Sequence, residues 1–309
     1  MRLFYSMSDI SSEARTTANV FIFAYDSDDR ALEIARKLKE SSGIIETIII
    51  IQYNEIDSDC IKDLFPTAKV HFIRAENSQI GFLRQLNQFQ TVLSCGERVL
   101  IDISCIHIPE MFILLKYLCA SCKQENLQVA YSVPFDYEFS EEPFTSYCSY
   151  YGDLLTQDLT GFGGISTGEA HSKMIVFLGF EGILSSKVIE DIRYDNLLLV
   201  NNLPSFFPKY KDISMINNCE LLTSHHSKLK YVPANNPFEA YNFLDAVIDE
   251  TEQVCTAPLS TKPVALGVCL YALNHPNLRV VYPVSEQYRH HNTNRVHKSY
   301  LYEIPLKCP

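Results

Sequence analysis

Ser260-Thr261-Lys262-Pro263 sets two hydroxyls and an ammonium directly after an apolar run, VCTAP, and directly before a helical one. Where a strand ends and a helix starts, the N–H groups of the first helical turn face the same point as such a lysine. That arrangement favours anions, phosphate above all. The same four residues also read as a plain helix start, with Ser or Thr as N-cap and proline in the first turn. A second group, Asp26, Asp28 and Asp29 beside Arg30, offers carboxylate oxygens of the kind that hold Mg²⁺, or ordinary partners for a helix dipole. Asp102, ending the run VLID, is placed to take ribose hydroxyls, hold a metal or cap the next helix. Glu181 follows Phe180 as Asp26 follows Tyr25, so Asp26, Asp102 and Glu181 are the candidate general bases of any hydrolytic reading.

Other chemistries find less support. His225-His226 and His290-His291 lie in polar stretches and His171 stands alone, so no short spacing supplies the converging ligands of a zinc site. Cys119-x-x-Cys122 is a lone pair late in a helical pattern, where the dipole does not lower a thiol pKa. Gly161-Phe162-Gly163-Gly164 lacks the lysine and following helix of a phosphate loop and reads as a hinge. The chain of 309 residues carries a net charge of −11, which argues against a general nucleic-acid surface. Its apolar fraction of 47% is that of a globular protein, and no run approaches a membrane span. The N-terminus lacks a signal-peptide core. Ten cysteines, mostly inside apolar runs, read as reduced, buried thiols of a cytoplasmic protein.

The elements that must position these groups are short and alternate. NVFIFA (19–24) is followed by a polar loop, then by Ala31, Ile34, Ala35 and Leu38 at helical spacing, then by an isoleucine run (48–51). VHFIRAEN (70–77), RVLIDIS (98–104) and QVAYSVP (128–134) continue the series of strands, with helices over 81–92 and from Pro109 onward. Continuous apolar runs without alternation predict strands buried on both faces, hence a parallel sheet.

The second half repeats this order. Asp26 answers Glu181, Ile49 answers Leu197, Phe72 answers Tyr231, and Ser104 answers Ser260. Tyr131 and Tyr137 answer Tyr282 and Tyr288, all at offsets of roughly 150 residues. The expected fold is therefore α/β, with two tandem Rossmann-like, doubly wound parallel-sheet repeats about a pseudo-two-fold axis. The expected boundaries are an N-terminal extension (1–18), a first repeat (19–149), a glycine-rich connection (150–172) and a second repeat (173–309). Because open parallel sheets bind ligands beyond the carboxyl ends of their strands, the candidate ligand residues are Ser260, Thr261, Lys262, Ser104, Arg30, Tyr137 and Tyr288.

A strand followed by Ser260-Thr261-Lys262 and a helix, late in a Rossmann-like unit, resembles the CARF domains, sensors of cyclic oligonucleotides in prokaryotic antiviral defence. Two such units in one chain look like the SAVED arrangement. The first repeat departs from the pattern, with Ser104-Cys105-Ile106 in place of the Thr-Lys step, which puts a symmetric site in doubt. The resemblance implies a nucleotide or cyclic-oligonucleotide binding module whose repeats leave no room for an effector, so that it acts with a partner protein or as a homo-oligomer. A phosphodiesterase-like or nucleotide-hydrolysing enzyme in the same cleft and a non-catalytic scaffold of a defence complex are the alternatives. Of cofactors only Mg²⁺, at the acidic loop, is a candidate.

Overall fold

The computed structural model describes residues 6–9, 18–26, 28–40, 45–53, 58–75, 78–93, 97–120, 126–137, 150–151, 153–164, 171–224, 228–284, 287–288 and 293–306. Cys95, Cys122, Cys148, Cys308, His225-His226, His290-His291 and the side chain of Tyr288 lie outside what is described. The chain forms two compact units, one from Phe4–Glu138 with His290–Pro309 and the other centred on Phe139–Arg289.

In the first unit the elements are β1 (Ser6–Asp9), β2 (Val20–Tyr25), α1 (Glu33–Glu40), β3 (Thr47–Gln52), α2 (Ser58–Leu64), β4 (Lys69–Arg74), α3 (Gln79–Leu86), β5 (Val99–Asp102), α4 (Ile108–Ala120) and β6 (Asn126–Tyr137). In the second they are β7 (Tyr150–Tyr151), β8 (Leu155–Asp158), β9 (His171–Phe177), α5 (Gly182–Asp191), β10 (Tyr194–Asn202), α6 (Pro208–Asn217), α7 (Cys219–Ser224), β11 (Lys228–Val232), α8 (Pro237–Val247), β12 (Val254–Pro258), α9 (Lys262–Asn274), β13 (Arg279–Val284) and β14 (Gln287–Tyr288). A last strand, β15 (Thr293–Pro305), returns to the first unit.

The first sheet runs β1-β15-β6-β5-β2-β3-β4 and the second β11-β10-β9-β12-β13-β8. Within each, five parallel strands share one order, the first strand at the centre with its second and third on one side and its fourth and fifth on the other. This is the doubly wound Rossmann-like order, repeated. The central strands are apolar on both faces, as the continuous runs require: Phe21, Phe23, Ile48, Ile49, Ile50, Met174, Ile175, Val176 and Phe177 are fully buried. Each such side chain contributes about 1.5–3 kcal/mol of burial. In the second unit, Thr261 caps α9 and Asn236 caps α8, each followed by a proline within the first turn. Gly267 lets these two helices touch: a Cβ there would meet the Pro237 carbonyl at 2.1 Å.

Two boundaries differ from the expectation. The second repeat does not extend to residue 309, because β15 pairs antiparallel along the length of β6, and β1 from the supposed N-terminal extension pairs with β15. The 150–172 connection is not merely a hinge, since β8 pairs antiparallel with β13. Both additions cover what would be the open edge of a fifth strand, a liability in any sheet. Among the described residues no helix is long and apolar enough to cross a membrane.

Candidate functional site

In each unit the strand order reverses between the first and fourth strands, and there the loops diverge and leave a crevice at the carboxyl edge. In the first unit this point lies between β2 and β5. Asp26, Arg30, Asp102 and Ser104 meet there, each no more than 9% exposed. The chain turns sharply because the Asp28 N–H donates to Asp26 Oδ1 at 2.9 Å and the Arg30 N–H donates to Asp28 Oδ1 at 2.8 Å. The turn points the Arg30 guanidinium back on Asp28, where Nε and Nη2 donate to the two carboxylate oxygens at 2.9 and 2.8 Å. Thr293, from β15, adds its hydroxyl to Asp28 at 2.7 Å.

Burial acts against both charges, but the pair outweighs it. The Arg30 charge and the hydrogen bonds from Arg30 and Thr293 hold the Asp28 carboxyl below the usual aspartate value, and Asp28 keeps Arg30 charged well beyond its ordinary range. Burial, with the charges of Asp26, Asp28 and Asp102, pushes the Cys105 thiol well up against the opposing Arg30, so it stays protonated. Burial likewise raises the Tyr137 hydroxyl, which feels both Arg30 and Asp28. Ser104 is saturated: its hydroxyl donates to Asp102 Oδ1 at 2.5 Å and accepts the Ser132 N–H at 2.8 Å. Asp102 also takes the Ser104 N–H at 2.9 Å, the loop-bonding role among those open to it. Ligand atoms of Asp26, Asp28 and Cys105 lie within 4.8 Å of one another. They suit Mg²⁺ poorly, because a hard cation wants oxygens, Cys105 holds its proton, and Asp28 is already gripped by Arg30.

The second unit's crevice lies between β9 and β12 and holds amides where the first holds an ion pair. Asn202 donates through Nδ2 to Ser260 Oγ at 2.6 Å, joining the end of β10 to the segment after β12. The Asn202 N–H donates to Asn201 Oδ1 at 2.7 Å. Ser214 and Asn218 both donate to the Gly179 carbonyl, at 2.9 and 3.1 Å, and Asn217 donates to the Phe180 carbonyl at 2.7 Å, so α6 clamps the loop after β9. Asn201, Asn202 and Asn218 are 0%, 8% and 1% exposed. Asn201 Nδ2, Asn202 Oδ1 and Asn218 Oδ1 are buried without a hydrogen-bond partner.

Ser260, Thr261 and Lys262 stand together at this crevice, half-buried. Thr261 is committed to structure: its hydroxyl donates to the Ala234 carbonyl at 2.7 Å and receives the Val264 N–H at 3.4 Å. Pro263 has no N–H and the Val264 N–H is bonded to Thr261, so the first turn of α9 offers no fan of free helix amides. Glu181 sits at the N-cap position of α5 without making a side-chain cap bond.

The ladder between the first and fourth strands ends at Phe23–Asp102 in one unit and at Phe177–Pro258 in the other, and Ser104 and Ser260 each lie two residues beyond the fourth strand. Asp26 directly follows β2, whereas Glu181 lies four residues past β9. The sequence reading joined Asp26, Arg30, Asp102, Ser104 and Tyr137 by position, and the structure brings them into one cluster. It missed Asn201, Asn202 and Asn218, for which the polar ending of LLLVNN was the available signal, and Thr293, which reaches the first crevice only through a long-range strand pairing.

No protein-family model matches the chain, and no curated protein matches it. Among solved structures it is similar to the cytoplasmic domain of a prokaryotic cation chloride cotransporter, at 7% identity and a TM-score of 0.27, over 87% of this chain and 96% of that one. A likeness at that level carries no inference about fold or ligand.

Proposed function

We propose that the chain is a binding module for a nucleotide-type ligand, a mononucleotide or cyclic oligonucleotide, held at the second unit's crevice. The observation that supports this is the unpartnered, buried Asn202 Oδ1 on an amide that bonds Ser260, with Asn201 Nδ2 also unpartnered at the same strand end. A buried polar atom left unsatisfied costs about 1–3 kcal/mol, a cost that a ligand's own donors and acceptors would remove. Lys262 and the Ser260 hydroxyl take the phosphate, and the amides meet the sugar or base. The Ser-Thr-Lys step adds the resemblance to cyclic-oligonucleotide sensors, and with it a role in antiviral defence through a partner protein in the cytoplasm.

Isothermal titration with a panel of mononucleotides and cyclic di- to tetranucleotides tests the reading. Lys262→Ala should weaken binding by about 1–3 kcal/mol, the range of a charge-assisted hydrogen bond. Lys187→Ala, which only breaks the α5 pair with Asp191 at 2.8 Å, should leave binding as in the parent. Equal affinities in all three proteins would reduce the segment to a helix cap. Cleavage of the added nucleotide would replace binding with hydrolysis.

A further inference from the structure

A cleft of about 460 Å³ opens in the first unit between the start of α1 and the beginning of β15, with Tyr25, Asp28, Asp29, Glu33, Arg36 and Arg295 among its lining residues. That volume lies within the range of small-molecule sites, roughly 300–1,000 Å³. Its acids are engaged. Asp28 is held by Arg30 and Thr293, Asp29 Oδ2 accepts the Arg295 N–H at 3.0 Å, and Glu33 pairs with Lys37 at 3.2 Å. Its two arginines are not: among the described residues, neither the Arg36 nor the Arg295 guanidinium has a carboxylate partner.

The backbone under Arg295 is a further, separate observation. Its φ is 55°, left-handed, a conformation that a residue with a side chain adopts at a cost. It lies just before the register shift in β15 between Val296 and Lys298. A glycine would hold this turn more cheaply. The Asp29 carboxylate fixes Arg295 there by accepting its N–H.

We propose that this cleft is a second ligand site, separate from the crevice of the second unit, which takes a small polyanion bearing phosphate or carboxylate oxygens through Arg36 and Arg295. Guanidinium forks suit both oxygen geometries, so the two groups of one anion can each be held bidentately.

Pyrophosphate and citrate are the probes, titrated calorimetrically at low ionic strength and again near 0.15 M, where screening tests direct contact. Arg295→Gly removes the guanidinium while suiting the left-handed backbone, so its fold is not at risk. Arg36→Gln removes the other. Each should weaken binding at least about tenfold, as loss of a charge-assisted contact does. Arg84→Ala on α3 should bind as the parent does. Preference for pyrophosphate or citrate assigns phosphate or carboxylate as the group recognised. The proposal is overturned if the parent takes up neither probe, if Arg295→Gly and Arg36→Gln bind like the parent, or if Arg84→Ala weakens binding equally.

Discussion

The two crevices share a strand order and differ in what fills them. In the first unit, the point between β2 and β5 is closed by a buried ion pair, with Arg30 forked onto Asp28 and Thr293 sealing it from β15. In the second, the equivalent point is lined by neutral amides and a serine, with polar atoms left unpartnered. One site satisfies itself and the other leaves bonds to be made. A duplicated fold therefore need not carry a duplicated function, because function resides in the side chains grafted on the strand ends. Ser104 and Ser260 each lie two residues beyond the fourth strand of their unit, yet Ser104 is buried and bonded to Asp102 and Ser132 while Ser260 is half-buried.

Breaking the ion pair should give the largest effect. Asp28→Asn leaves Arg30 charged, buried and without its fork, which should cost about 3–5 kcal/mol, whereas the double change Asp28→Leu with Arg30→Met should cost far less. Urea unfolding of the three proteins measures the difference, and equal losses would mean that the crevice is closed by shape alone. The pair also sets an acid limit. Because the Asp28 carboxyl is held below its ordinary value, its contribution is complete above the usual aspartate range and is lost as pH falls through the lower folded value. Asp28→Asn should remove that part of the acid transition.

Next in size is Gly179→Ala. A Cβ at Gly179 would stand 2.1 Å from the Leu259 carbonyl oxygen, a contact with backbone that no side-chain rotation relieves. The change should cost about 3 kcal/mol, the upper part of the usual range for overpacking. A thermal unfolding midpoint unchanged by this substitution would contradict that close approach.

The two serines that follow the fourth strands give a smaller contrast. Ser104→Ala strands the buried Ser132 N–H and should cost about 1–3 kcal/mol. Ser260→Ala should cost less than about 1 kcal/mol, because water reaches a half-buried position. Chemical denaturation of both variants would refute the distinction between a closed and an open crevice if the order were reversed.

How far all this could be read in advance varies with the range of the interaction. VFIFAY and TIIIIQ are apolar on both faces, so the parallel sheets were legible, and the repeated order of runs carried the duplication. Exact residue equivalences between the halves were not legible, because an apolar run looks the same when shifted along itself. The partner of β15 was not legible: nothing local in RVHKSYLYEI says that it crosses back to β6. Likewise LTQD reads as loop, its polar residues fitting an exposed edge that only pairing with β13 makes a strand. The Asp28–Arg30 fork joins residues two apart, which do not face each other on a helix, so it required the turn to be known.

The smallest effect concerns where each unit feels pH. The second crevice has amides where the first has an ion pair, and the second unit's linkage lies instead at the opposite end of its central strand. His171 is 5% exposed, its Nε2 lies 3.1 Å from Arg279 Nη1, and its Nδ1 is buried without a partner. Burial and the Arg279 charge, against a weaker pull from Asp158, lower its pKa. A histidine that resists protonation when folded binds a proton more readily when unfolded. Its contribution is therefore complete above the usual histidine value and declines as pH falls through the lower folded one. Hydrogen exchange resolved by peptide should show β9 and β13 losing protection between neutral and mildly acid pH while β2 and β5 hold theirs. His171→Gln should flatten that decline without altering the more acidic loss in the first unit. If β2 and β5 weakened over the same window, or if His171→Gln left the decline intact, the two units would not be separately linked to pH through His171 and Asp28.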